Sequence, residues 1–211
     1  AALGRFSCGK ATLHLECRIT EQQADGRVES RTEGNSLLYD LAAGSYRELS
    51  VPGTLMGFSA RWGAVVETPE EQSLLSAEEF AAQYGENASY GRYVHQNTQR
   101  RLLLWNMESG DYTVVADHNK DGYLMTVDPM QVYGMEHIYQ CGDELRLLNL
   151  DSGESRTLLS MEDIINYWVM DSKAFIITDT EAGSRVWVAD LQDGKLVELV
   201  GAADEHGMVM S

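Results

Sequence analysis

One pattern constrains this chain more than any other. An apolar run ends in Asp or Asn, the next residue is Leu or Met, and a glycine stands four residues after the Asp or Asn. It occurs without gaps at 36–44 (SLLYDLAAG), 102–110 (LLLWNMESG), 145–153 (LRLLNLDSG) and 186–194 (VWVADLQDG). A short β-prone run follows each glycine. The unit reads as a β-hairpin: one strand, a turn in which Gly44, Gly110, Gly153 or Gly194 supplies a positive φ, and a returning strand. The last three glycines stand about forty residues apart, the length of one four-stranded propeller blade, and the first step is longer by about two dozen residues.

Strands can be placed around each hairpin. The fourth blade reads 165–171, 173–179, 184–191 and 195–200, and the third 123–127, 136–141, 144–150 and 155–159. The second has 54–60 and 62–67 before an insertion at 69–97. The first has a strand at 12–20, a polar loop at 21–34 and the hairpin at 36–50. The expected fold is therefore an all-β β-propeller of about four four-stranded blades, approximately 3–50, 54–116, 123–160 and 164–200, forming a single domain. A further strand is expected at 207–211. It either closes a small ring or leaves the chain as part of a larger one, since a propeller must cover its terminal edges.

The last blade, KAFIITDTEAGSRVWVADLQDGKLVELV, resembles the WD-repeat-like blades of the TolB type. The likeness is carried by a strand ending at Asp179, the loop 180–183, a strand ending at Asp190, the turn glycine Gly194 and the closing strand. It extends to 136–159, where Cys141-Gly142 replaces the Asp before the loop. The resemblance implies a bacterial propeller, exported and extracytoplasmic, secreted or surface-anchored. Such blades also occur beside peptidase domains, and they specify architecture rather than chemistry.

Charge narrows the partners. Lys+Arg number 16 and Asp+Glu 33, for a net charge of −17. Such a surface repels phosphate backbones and anionic lipid, which argues against nucleic acid and membrane surfaces, and it suits solubility, cations or a basic partner. No apolar run of eighteen residues exists, so direct membrane insertion is not expected. The chain opens on Ala1 without a signal-peptide pattern, as expected of a sequence whose start has been removed. Cys8, Cys17 and Cys141 are an odd set. Cys8 and Cys17 can face one another across an oxidised hairpin, or all three can be small buried hydrophobes.

Within the insertion, Ser76 and Glu79 make a capping box for a helix over 77–84, with Gly85 as its stop. Phe80, Tyr84, Tyr90 and Tyr93 make the segment aromatic. It either packs onto the blade edge or presents a binding surface. Asn87-Ala88-Ser89 matches a glycosylation sequon by pattern alone.

The sharpest local motif is Asp117-His118-Asn119-Lys120-Asp121-Gly122, running to Asp128. Asp117, Asn119, Asp121 and Asp128 fall at positions one, three, five and twelve of a Ca²⁺ loop, with Gly at six. Position nine is Met125, and position twelve is Asp where a bidentate Glu is usual. The same residues also read as an ordinary polar turn between strands. Ca²⁺ is thus the single candidate cofactor.

No catalytic residues emerge. His14, His95, His118, His137 and His206 form no HxH or HExxH pair, and Gly57-Phe58-Ser59-Ala60-Arg61 lacks the last glycine of a nucleophile elbow. Asp171 and Asp179 end strands, or line a channel. Trp62, Trp105, Trp168 and Trp187 recur at blade spacing, as inter-blade core would. Three functions remain open: a non-enzymatic binding or scaffold propeller for protein, peptide or glycan; a propeller enzyme or substrate-gating module using paired carboxylates; and an extracytoplasmic sensor domain.

Overall fold

The computed structural model describes residues 2–7, 10–22, 28–69, 74–85, 88–126, 132–133, 135–180 and 183–200. They form four antiparallel sheets in chain order, each a meander. The first holds β1 (Ala2–Ser7), β2 (Lys10–Gln22), β3 (Val28–Asp40) and β4 (Ser45–Leu49). The second holds β5 (Thr54–Phe58), β6 (Trp62–Glu67), β7 (Arg101–Asn106) and β8 (Tyr112–Asp117). In the third, β9 (Leu124–Thr126) and β10 (Val132–Tyr133) share one edge of β11 (Glu136–Cys141), and β12 (Glu144–Asn149) and β13 (Ser155–Ser160) follow. The fourth holds β14 (Ile164–Met170), β15 (Lys173–Thr180), β16 (Gly183–Asp190) and β17 (Leu196–Val200).

Three apolar seams stack the sheets as blades. Leu38 and Leu49 of the first blade meet Phe58, Val65, Leu103 and Trp105 of the second. The opposite face of β7, with Leu102 and Leu104, meets Leu124, Tyr139 and Leu148 of the third. Ile138, Leu145 and Leu147 meet Ile164, Tyr167, Ala174 and Ile176 of the fourth. Adjacent residues of one strand thus serve opposite seams, as the two-residue period of a strand requires. The fold is a β-propeller of four blades whose sheets do not close into a ring among the described residues. On the fourth blade, Trp168, Phe175, Val188 and Val197 pair in register as one apolar row across all four strands, on the face turned from the third blade. Trp168 and Phe175 stack at 5.3 Å, and Val197 is 52% exposed. Three of the four tryptophans, at positions 62, 105 and 187, belong to seams as expected.

The repeated turn explains its own sequence. Gly44, Gly110, Gly153 and Gly194 all have positive φ, between 62° and 82°. Each donates its N–H to the C=O of the Asp or Asn four residues back, at 2.8–2.9 Å. The Asp or Asn side chain then accepts from the turn: Asn149 Oδ1 takes the N–H groups of Asp151 and Ser152, and Asp40, Asn106 and Asp190 act in kind. The Leu or Met after it joins two blades. Met107, Leu150 and Leu191 are buried and donate their N–H to Arg61, Met135 and Ser172 of their own blade's first turn. Their carbonyls accept from the preceding blade, from Arg47, Ser59 and Arg156 respectively. Leu41, in the first blade, is 51% exposed.

Two expectations are corrected. The polar stretch 21–34 is largely strand, because β2 and β3 stay in register from Lys10↔Asp40 out to Gln22↔Val28. A backbone ladder can outrun the apolar pattern, which reports burial rather than strand length. The inner strand expected at 123–127 is the split pair β9 and β10. The strand expected at 207–211 lies outside the described residues.

Candidate functional site

In a four-stranded meander, the turn between strands two and three and the crossover to the next blade lie at one end. The other two turns, including the glycine turns, lie at the opposite end. The first end carries all three helices of the described residues. The β6–β7 connection holds α1 (Ala77–Tyr84) and α2 (Tyr90–Asn97), the β8–β9 crossover holds α3 (His118–Asp121), and the β11–β12 turn and β13–β14 crossover lie at the same end.

The insertion rises from the paired strands β6 and β7, where Glu67 and Arg101 form an ion pair in register. α1 starts on the expected capping box and stops at Gly85, φ 86°. The two Ser76 hydrogen bonds hold the Glu79 carboxyl below the usual carboxylate range. α2 carries no cap signal and was not legible in the sequence. The aromatic residues pack on one another: the Phe80 ring lies 4.9 Å from those of Tyr84 and Tyr93 and 5.5 Å from that of Tyr90. The Tyr90 hydroxyl donates to the Leu75 carbonyl, and the Leu75 N–H donates to the Tyr93 hydroxyl, both at 3.0 Å. The insertion thus holds a small core of its own.

The calcium candidates are arranged as follows. Asp117 caps α3, with Oδ1 accepting from the Asn119 N–H at 3.0 Å, and Asp121 Oδ2 accepts from the Asp117 N–H at 2.8 Å. Asn119 is exposed within α3, and Asp128 lies outside the described residues. No group of three or more His, Cys, Asp or Glu suited to a metal occurs among the described residues. Asp171 and Ser172 form the tight turn between β14 and β15 with φ of 48° and 64°, so Asp171 ends a strand. His118 packs edge-on to Tyr123, and burial lowers its pKa. Cys141 is a free, buried thiol whose pKa burial raises.

A cleft of about 710 Å³ opens at this end, lined by Gln96 of α2, Tyr123, Gln140, Gly142 and Asp143 of the third blade, and Asp163, Ile164 and Ile165 of the fourth. Backbone bonds fix its walls: Gly142 N–H to Tyr123 C=O at 2.9 Å, Met161 N–H to Asp143 C=O at 2.8 Å, and Asp179 N–H to Asp163 C=O at 3.1 Å. The Tyr167 hydroxyl donates to Met125 C=O and accepts the Gln140 N–H, tying the two blades beneath it. None of these lining residues stands out in the sequence. The one available signal is Gln140, a polar residue two positions after Ile138 in a strand buried from His137 to Cys141.

No family model matches this chain, and no curated protein matches it. Similar solved structures include an oligogalacturonate lyase in complex with manganese (14% identity, 78% of this chain, 47% of that chain, TM-score 0.45). They also include Porphyromonas gingivalis dipeptidyl peptidase 4 (14%, 91% and 29%, 0.45) and TolB from Acinetobacter baumannii (10%, 94% and 43%, 0.42). The chain spans less than half the length of each. The fold assignment rests on the four meanders and their three seams.

Proposed function

We propose that this chain is a non-enzymatic binding propeller, exported from a bacterium, that takes a protein or peptide partner on the end bearing α1, α2 and the cleft. The observation that supports this is the convergence of a self-packed helical insertion and three blade connections at a single end, where the cleft opens. Decoration placed on a rigid repeat scaffold is where such proteins carry recognition. The net charge of −17 favours a basic partner. No helix among the described residues is long and apolar enough to cross a membrane.

The test is a peptide array probed with the full chain and with a variant in which residues 74–97 are replaced by a short Gly-Ser turn. Capture by the full chain, lost in the variant at unchanged melting temperature, supports the reading. Capture indifferent to the insertion, or none, overturns it. A glycan- or peptide-cleaving enzyme is a second reading, favoured by Asp143 and Asp163 lining one cleft, since carboxylate-pair hydrolysis needs two carboxyl groups at one substrate. It predicts turnover that Asp143→Asn or Asp163→Asn abolishes.

A further inference from the structure

The repeat gives every blade two seam positions. At its third position, Leu38, Leu104 and Leu147 are buried against the following blade. At its fourth position, Trp105, Leu148 and Ala189 are buried against the preceding blade. One residue departs from each rule. Val188, at the third position of the fourth blade, and Tyr39, at the fourth position of the first, are only half-buried. Both stand on faces with the composition of a covered sheet. A sheet wet on one side alternates apolar with polar residues, and one covered on both sides does not. The doubly covered β7 runs LLLW, and the singly covered β15 and β16 run AFII and VWVA. The outer face of the fourth blade carries the four-strand row Trp168, Phe175, Val188 and Val197. On the first blade, Phe6, Ala11, Tyr39 and Tyr46 pair in register across four strands, and Tyr46 is 68% exposed.

Leu41 indicates what covers these faces. Its counterparts Met107, Leu150 and Leu191 are buried where a preceding blade meets them, whereas Leu41 is exposed. The first blade thus carries a face and a turn residue suited to a preceding blade, and the fourth carries a face suited to a following one. All three seams join the following side of one blade to the preceding side of the next. A second copy of the chain supplies both missing neighbours by the same rule. A small ligand binds in a cleft, and these are sheet faces four strands wide. Two fourth blades set face to face would join two following sides, which no seam of the molecule does, and would leave Leu41 and Tyr46 exposed.

We propose that two copies of this chain associate head to tail, each packing the outer face of its fourth blade on the first blade of the other. The two seams are heterologous and equivalent, so a two-fold rotation closes them into a ring. The ring has eight blades, within the range of about four to eight at which propellers close. Each copy then buries Leu41, Tyr46 and Val197. The inference is independent of the partner reading above, because the blade faces carry it and the helical end takes no part.

The test is sedimentation equilibrium of the full chain from about 0.1 to 100 μM, beside Val197→Asp, Tyr46→Asp and a mixture of the two. The parent is expected to reach the mass of two chains and no more. Its association is expected to tighten as salt screens the charge of −17 on each copy. Both substitutions fall at exposed sites, so the melting temperature of the dilute monomer is expected to hold. Each places an unpaired carboxylate in an apolar seam and is expected to weaken association at least about a hundredfold. Mixed, the two variants share one intact seam, so the mixed pair is expected to form more tightly than either variant with itself. Leu41→Ala is expected to weaken association about tenfold, with the stability of the dilute monomer nearly unchanged. A monomer at every concentration, growth beyond two copies, loosening by salt, a dimer untouched by Tyr46→Asp, or variants that gain nothing on mixing overturns the proposal.

Discussion

The two ends of the blade stack are built on different rules. At the glycine-turn end, one local solution recurs in every blade: an Asx side chain capping its own turn, a left-handed glycine and, in the last three blades, a buried Leu or Met tied to the preceding blade. At the opposite end four described connections differ: a helical pair between β6 and β7, a one-turn helix between β8 and β9, a two-residue turn between β11 and β12 and a short crossover between β13 and β14. Repetition marks the end that holds blades together, and variety marks the end that can be shaped to a ligand without disturbing the stack. The first blade sharpens the contrast. Its turn has the same sequence pattern, yet among the described residues no blade stands before it, and Leu41 is exposed.

That contrast can be broken most forcefully at the Leu or Met position. Leu150→Ala is expected to cost about 2–5 kcal/mol, as for other buried large-to-small changes. Leu41→Ala is expected to stay within about 0.5 kcal/mol. Urea denaturation of both variants measures the difference, and equal costs would show that the turn residue does not join blades. Glycine comes next. A Cβ at Gly194 would lie 2.5 Å from the Leu158 carbonyl oxygen of the third blade, whereas one at Gly110 meets nothing within 4 Å, and both have positive φ. Gly110→Ala should therefore show backbone strain alone, about 1–2 kcal/mol, and Gly194→Ala clearly more. Removing a cap is smaller still: Asn149→Ala leaves two turn N–H groups without their acceptor, for a loss of about 1 kcal/mol by analogy with helix caps.

The smallest expected effect separates the ends by pH. Burial lowers the pKa of His118 from 6.5, so folding favours its neutral form. That stability is present above 6.5 and is lost as pH falls through the lower folded value. Asp190, at the glycine-turn end, is lowered from 3.8 by its hydrogen bond with Lys173. Its contribution holds until pH falls below 3.8 and through the folded value. Mild acid should thus loosen α3 and its neighbours while the glycine turns remain protected. Hydrogen exchange at pH 7 and pH 5, corrected for intrinsic rates, checks the order, and simultaneous loosening of both ends would contradict it.

What the sequence disclosed follows the same division. The Asp/Asn-to-glycine spacing is legible because the turn is solved locally, with donor and acceptor within five residues. The capping box of α1 is legible for the same reason. α2 is not, since its YGRYVHQN run is held by tyrosine contacts back to residues 75 and 80 rather than by a cap. The cleft is not legible either. Gln96, Gln140 and Asp163 are distant in sequence, and blade stacking alone brings them together. The aspartates of 117–121 match a metal-loop spacing in sequence, and in the structure two of them accept backbone hydrogen bonds around α3.

The central claim, that one end builds the stack and the other recognises a partner, is tested most directly by the hydrogen-exchange footprint of a captured basic peptide on the full chain. Slowed exchange at 90–97, 118–126, 140–143 and 161–165, with 107–110, 150–153 and 191–194 unchanged, is the predicted result. Protection centred on the glycine turns instead would contradict it.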